Sequence, residues 1–458
     1  MAELANAWPT KRFFLDMLTR DIGLEDAILD LLDNSIDSLA RSRKVPLTEA
    51  LLDPKVVERH SARIREDGGL PKIDIQITQT KFSISDNCGG IDYGDAKSEI
   101  FRFGRIAETT RSRLSVYGIG LKRAIFKIGR SITIRSNTPE NGFQVFIDTE
   151  DWATSDQNKI PNLEDWTFPI KEQPASRSPN SAGTDIEITK LNDAVKRRIS
   201  DGEFEGKLHS VIATAYALLL DHFVVLRVNG ARVRPNQIPL GLSPKVTPGR
   251  EQFSSGDVTI TVVTGLAERV EDEWKIENAG WYVLCNGRVV VFGDRSDLTG
   301  WGVGLPQFVS KYRGFVGIVF FFSEHPESLP WTTTKRGLNK ETSAYQLARN
   351  KMALLARPVL SFLNNMYPGG KDEEEPEERR IADTMKKADI AEVIKSSSRT
   401  FLVERPTARA RSSFTSIQYK VPASDLEMVR KTIKKPLWSA SKIGQHTFEY
   451  FMEKECGK

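Results

Sequence analysis

Four short segments, in fixed order within the first 190 residues, constrain this chain more than any bulk property. They are Asp30-Leu-Leu-Asp33-Asn34-Ser35-Ile-Asp37, Asp86-Asn-Cys88-Gly89-Gly90-Ile91, Ser115-Val-Tyr117-Gly118-Ile119-Gly120-Leu121-Lys122 and Gly183-Thr184-Asp-Ile186-Glu-Ile188. The first lies in a helix. Over residues 24–40, Leu24, Ile28, Leu31, Leu32 and Leu39 recur at helical spacing and make one apolar face. Asp26, Asp30, Asp33, Asn34 and Asp37 fall on the other side, with Asp30, Asn34 and Asp37 at i, i+4 and i+7 in a single stripe. On an arbitrary helix such a stripe is a solvated acidic face. This one carries a carboxamide at its centre, a neutral oxygen ligand of the kind Mg²⁺ accepts.

The other three segments sit where strands and helices begin or end. Ile73, Ile75 and Ile77 alternate with polar residues, and Phe82 and Ile84 alternate again, so residues 73–85 read as a hairpin with Asp86 at its end. A plain Asp-Asn-x-Gly turn would look the same locally. Gly90 is the position where backbone is expected to approach a ligand closely. Gly118 and Gly120 precede an apolar helical stretch (Ala124, Ile125, Ile128), so their N–H groups face an anion at a helix N-terminus, and Lys122 adds a point charge there. Gly183-Thr184 opens the alternating strand of Ile186 and Ile188.

Taken in order, the segments resemble the N, G1, G2 and G3 boxes of the GHKL ATPases, the superfamily of DNA gyrase, MutL, histidine kinases, MORC proteins and the ninety-kilodalton heat-shock chaperones. The resemblance implies an α+β chain whose first domain is a Bergerat-fold sandwich binding ATP with Mg²⁺. It implies that Asn34 ligates the metal and that Asp30 activates the attacking water. Asp86 accepts from the adenine amino group, and Thr184 completes that end of the pocket. Asp37, Gly90, Ile91, Ser115, Tyr117, Gly118, Ile119, Gly120, Leu121 and Lys122 are the remaining expected cofactor contacts. The basic and small polar residues of 98–116 take the place of the ATP lid. Three positions depart from the pattern. Asp30 stands where the family has Glu, Cys88 occupies the first glycine position of the second segment, and Ser115 the first of the third. The shorter Asp30 carboxylate implies slow turnover, since a general base must reach its proton.

Beyond the fourth segment, residues 139–182 show no clear periodicity and read mostly as an insertion. Residues 204–221 read as a helix, and Phe223–Val228, Val258–Val263, Trp281–Cys285 and Phe315–Phe321 as strands, with turns at Asn229-Gly and Asn286-Gly. A strand-rich region ending in a helix over 339–365 resembles the α/β transducer domain of MutL, gyrase and MORC proteins. That resemblance implies a lysine reaching the γ-phosphate: Lys335, with Arg336 and Lys340 as neighbouring alternatives. The expected domains are 1–200 (ATP-binding), 201–366 (transducer-like), 367–400 (acidic linker and helix) and 401–458 (accessory module). In the last, a strand is expected over 416–421, then helices over 424–434 and 439–453.

Three scattered cysteines argue against structural zinc or a disulfide framework and fit a reducing cytoplasm. No apolar run is long enough for a membrane span, so no membrane partner is expected. A net charge of +4 permits nucleic-acid contact without arguing for it. By resemblance, the implied function is an ATP-driven clamp that closes as a homodimer on DNA or a DNA-bound protein, in phage defence or restriction among other settings. The alternative is a chaperone-like ATPase or nucleotide-gated scaffold acting on a protein partner.

Overall fold

The computed structural model describes residues 9–104, 114, 118–155, 166–271, 273–366, 377–404, 417, 419–436 and 438–457. They divide into two compact units, Met1–Glu404 and Arg405–Lys458. The larger opens with three helices: α1 (Lys11–Arg20), α2 (Leu24–Arg43) and α3 (Pro54–Glu66). Their starts are locally encoded. Thr10 accepts from the Phe13 N–H, and Asp53 caps α3 ahead of Pro54 at its first position. Helix α2 begins after an extended Gly23, carries Glu25 and Asp26 in its first turn, and ends on a left-handed Lys44.

The expected hairpin is present as β1 (Lys72–Ile77) and β2 (Lys81–Asp86), with Ile75 opposite Ile84. After the short turn α4 (Tyr93–Asp95) come α5 (Gly120–Ile128), β3 (Gly129–Asn137), β4 (Gly142–Asp148), α6 (Thr149–Thr154), β5 (Ile170–Gln173) and β6 (Gly183–Leu191). Helices α7 (Asp193–Ile199) and α8 (Phe204–Ala215) lead to β7 (Val225–Val228) and β8 (Ala231–Arg232). These strands form one sheet in the order β5-β4-β3-β6-β2-β1-β7-β8, antiparallel at every step except β1–β7. Ile73, Ile75, Phe82, Ile132, Ile134 and Ile188 turn inward and share a continuous core with Ile28, Leu32 and Ile36 of α2 and Ala124, Ile125 and Ile128 of α5.

Two expectations change here. Residues 139–182 are not mainly an insertion: β4 and β5 belong to the sheet, and Phe143, Val145 and Ile147 alternate into the core. The sheet also runs past residue 200, because β7 pairs in parallel with β1.

The second sheet begins after two short strands, β9 (Leu240–Leu242) and β10 (Val246–Thr247). It contains β11 (Gly249–Ser255), β12 (Val258–Leu266), β13 (Gly280–Cys285), β14 (Arg288–Asp294) and β15 (Phe315–Phe322), in the order β11-β12-β15-β13-β14. Strands β13 and β15 are buried along their whole length, so both faces of the sheet are covered. Helix α9 (Ser343–Asn365) packs on β11, β12 and β15. Asn229-Gly230 and Asn286-Gly287 make the expected turns, all four residues at positive φ. Residues 377–404 add α10 (Glu377–Ala382), β16 (Lys386–Ala388), α11 (Ile390–Ser396) and β17 (Leu402–Val403). Because β16 pairs with β9 and β17 with β10, this segment builds on the second region, where sequence suggested a linker and a helix.

The smaller unit holds α12 (Ala423–Thr432) and α13 (Ala440–Glu455), the latter capped by Ser439. Trp438 between them sits under Lys435 and Lys442 and edge-on to His446. Of the strand expected over 416–421, the described residues 417 and 419–421 form none.

Candidate functional site

The acidic stripe of α2 is not a solvated face. Asp26, Asp30, Asp33 and Asp37 each keep less than a tenth of their surface. Buried carboxylates need partners, and each has one from a different place in the chain. Asp26 pairs with Arg336. Asp30 accepts from Arg123 of α5, with Nη2 at 2.6 Å and Nε at 3.1 Å from the same oxygen, Oδ2. Asp33 Oδ2 meets two cations, Arg288 of β14 and Lys335, while the Tyr216 hydroxyl lies 2.8 Å from Oδ1. Burial, with Asp33 adjoining, pushes the Tyr216 hydroxyl well up, so it stays a donor. Asp37 accepts from the Leu114 N–H at 2.9 Å. Glu25 lies elsewhere on the helix, paired with Arg198 at 2.6 Å.

Asn34 is half-buried, and its Nδ2 is enclosed without a hydrogen-bond partner among the described residues. One end of the carboxamide therefore awaits a partner. Turned over, the same group presents an oxygen there, which fits the metal-ligand role expected of it. A single neutral oxygen is what Mg²⁺ takes from a protein when water and phosphate supply the rest.

Asp86 ends β2 directly opposite Thr184 of β6. Its carboxylate accepts from Ser35 Oγ at 2.7 Å and from the Cys88 N–H at 2.9 Å. The residue keeps some accessible surface, but its carboxyl is enclosed, and burial pushes that group up to about 6 despite these donors. Thr184 Oγ1 lies 2.8 Å from Ser136 Oγ of β3, which also accepts from the Ile91 N–H and donates to the Gly183 carbonyl. Gly90 has a reason for being glycine within the fold itself. At φ +72°, a Cβ there would lie 1.9 Å from the Asn137 carbonyl oxygen, so β3 excludes a side chain. Its own carbonyl accepts from Ser38 of α2.

Ser115 and Tyr117 lie outside the described residues. Gly118 has positive φ, Ile119 follows, and Gly120 starts α5 with no side chain capping its first amides. Leu121 is buried in the core. Lys122 corrects its expectation. It is buried, and its ammonium donates to the carbonyls of Ile100 (2.7 Å) and Gly118, close to the Phe103 ring. Its position on α5 faces inward, where a cation is held by backbone oxygens rather than presented to phosphate.

Lys335 comes from the segment following the second sheet. Trp331 and Leu338 form an antiparallel bridge, Thr332 N–H donates to the Gly337 carbonyl, and Lys335 sits at the tip with φ +54°. This turn presents Lys335 to Asp33 and Arg336 to Asp26, and its Thr333 carbonyl lies 3.5 Å from Arg123 Nη2. Lys340 points elsewhere, to the exposed Asp297.

Sequence reasoning missed Arg123, Arg288, Tyr216, Ser35 and Ser136. Arg123 had a usable signal, since it adjoins Lys122 in a segment already singled out. Arg288 and Tyr216 had none, because they pair with Asp33 across 255 and 183 residues of sequence.

The family model described as histidine kinase-, DNA gyrase B-, and HSP90-like ATPase matches residues 22–184. No curated protein matches the chain. The matched span opens just before α2 and closes on Thr184, enclosing the acidic helix, Asp86 and the glycine segment at α5. Over residues 22–184 this chain carries a GHKL-type ATPase domain.

Proposed function

We propose that the chain is an ATP-dependent switch in which the state of the nucleotide is passed from α2 to the second sheet through the Trp331–Leu338 turn. The observation that carries this is the docking of that turn on the acidic stripe, with Lys335 on Asp33 and Arg336 on Asp26. In this reading Asp86, backed by Ser35 and Thr184, accepts the adenine amino group. Guanine presents a carbonyl there and is rejected. Asn34 is the protein ligand of a Mg²⁺ that would neutralise phosphate charge. Asp30 takes the proton of the attacking water, slowly because of its short side chain. Asp37 helps to seat the end of the lid segment, through Leu114.

Lys335 is the γ-phosphate sensor. Only ATP offers the charge that competes with Asp33 for its ammonium, and Arg288 remains on Asp33 when Lys335 leaves. Transfer of Lys335 from Asp33 to the γ-phosphate carries the turn with it, and two subunits close as a clamp until hydrolysis restores the ion pair. DNA or a DNA-bound protein is the proposed client, and defence against phage or restriction the proposed setting, in the cytoplasm. No helix among the described residues is long and apolar enough to cross a membrane.

The test is crosslinking and sedimentation of the full chain with ADP or with a non-hydrolysable ATP analogue, each with and without duplex DNA. The expected result is a dimer with the analogue alone, strengthened by DNA. A dimer indifferent to DNA favours a protein client. A chain that stays monomeric under every condition refutes the clamp.

A further inference from the structure

The residue facing the proposed water-activating acid is itself an unusual choice. Arg123 and Asp30 are both buried, at 8% and 4% exposure. Two guanidinium nitrogens converge on one carboxylate oxygen, Oδ2, rather than spreading over both. One turn earlier on α5, Gly120 also faces Asp30: a Cβ there would stand 3.5 Å from the Asp30 carboxyl carbon. The side of Asp30 toward α5 is thus a bare backbone and one guanidinium. The same Nη2 lies 3.5 Å from the Thr333 carbonyl, in the turn that carries Lys335.

We infer that Arg123 is the positioning residue for Asp30, fixing its carboxylate through Oδ2 and tying it to the turn that carries Lys335. This rests on the reading of Asp30 as the water-activating acid. A short acid gains most from such a hold. Its carboxylate hangs on only two side-chain torsions, about Cα–Cβ and Cβ–Cγ, so anchoring one oxygen largely sets where the other points. The rigid fork of an arginine supplies two donors to the acid and one toward the carbonyl, a pattern that a lysine ammonium reproduces poorly. The arrangement also lets the acid respond to the turn. When the turn moves, Arg123 loses a neighbour, and the orientation of Asp30 changes with it.

The experiment compares Arg123→Gln, Arg123→Lys and Asp30→Asn in the full chain by ATP calorimetry, steady-state hydrolysis and hydrogen exchange over residues 331–338. Arg123→Gln should bind ATP within about threefold of wild type, while kcat falls roughly thirtyfold or more with KM little changed. Arg123→Lys should be intermediate, and millimolar guanidinium should restore part of the Arg123→Gln rate. Exchange over 331–338 should quicken in Arg123→Gln but not in Asp30→Asn, which keeps the guanidinium in place. A merely structural ion pair predicts lost stability and equal loss of binding and rate, and that pattern overturns the inference. So does wild-type exchange in Arg123→Gln. Should Arg123→Gln fail to fold, Arg123→Lys carries the same comparison. Undiminished hydrolysis in Asp30→Asn, or none in the wild type, sinks the role of Asp30 instead. The exchange measurement then still decides whether Arg123 holds the turn.

Discussion

The carboxyl of Asp86 gives the sharpest quantitative test of the pocket. In the structure it is enclosed, holds three hydrogen bonds at most from Ser35, Cys88 and Thr184, and faces no cation strong enough to offset burial, so it rises from 3.8 to about 6. The folded group thus binds its proton more tightly than the unfolded one. Between pH 6 and pH 3.8 the native state carries more protons, and stability must rise as pH falls through 6. The penalty for keeping the group ionised is fully present at neutral pH, at roughly 3 kcal/mol for a shift of this size. Lowering the pH from 7.5 to 5 relieves about 1.4 kcal/mol of it. Asp86→Asn removes the titration while keeping the shape, so it serves as the reference against which all other carboxylates cancel. The assay is urea unfolding of wild type and variant at both pH values, extrapolated to water. The wild type should gain about 1.4 kcal/mol on the variant at the lower pH. If the difference between the two proteins does not change with pH, or changes in the other direction, Asp86 is not a desolvated carboxylate. Its preparation for an amine donor would then be lost as an argument.

Lys335→Ala should bind ADP normally, hydrolyse ATP poorly and fail to dimerise with an ATP analogue, measured by sedimentation beside the wild type. Arg288→Met should cost stability by about 3 kcal/mol or more in denaturant titration, because Asp33 then keeps Lys335 as its one cation beside the Tyr216 hydroxyl, and the sensor is no longer replaceable. Gly90→Ala should lose at least about 2 kcal/mol in the same titration, since both its φ of +72° and the Asn137 carbonyl oppose a methyl group. Asn34→Ala should leave the fold intact and abolish Mg²⁺-dependent ATP binding, read by calorimetry with and without the metal.

The parts of this fold that could be read from sequence are those whose signal is local. The α2 face of Ile28, Leu31, Leu32 and Leu39, the Ile73–Ile77 alternation and the Asn-Gly turns each depend on neighbours within a few residues. The strand β4 carried the same kind of signal in Phe143, Val145 and Ile147. The polar stretch around it masks that signal. What stayed illegible is pairing at a distance. Sequence spacing puts Asp33 on the stripe but does not say that it would be claimed by residues 216, 288 and 335. Lys122 shows the converse. Its place after two glycines suggests a phosphate contact, yet the helix phase of α5 turns it inward beside Ile125 and Phe126.

The electrostatic pattern on α2 bears on how such a switch could reset. Three of the buried acids on the stripe are matched by cations from outside the helix: Asp26 by the turn, Asp30 by α5, and Asp33 by both β14 and the turn. Of these three, only Asp33 has a second cation among the described residues. A buried carboxylate stripped of its sole partner carries a penalty of several kcal/mol, which would lock the turn to the helix. With Arg288 staying behind, the Asp33 end of the turn can leave without exposing that penalty. Asp26 has no such reserve. It lies in the first turn of α2, beside the uncapped amides at the helix start, and these offer its carboxylate another source of positive potential when Arg336 withdraws. The turn is therefore held at its two charged contacts by attractions that each leave the helix a substitute, which is what reversible docking requires and a permanent ion pair would not.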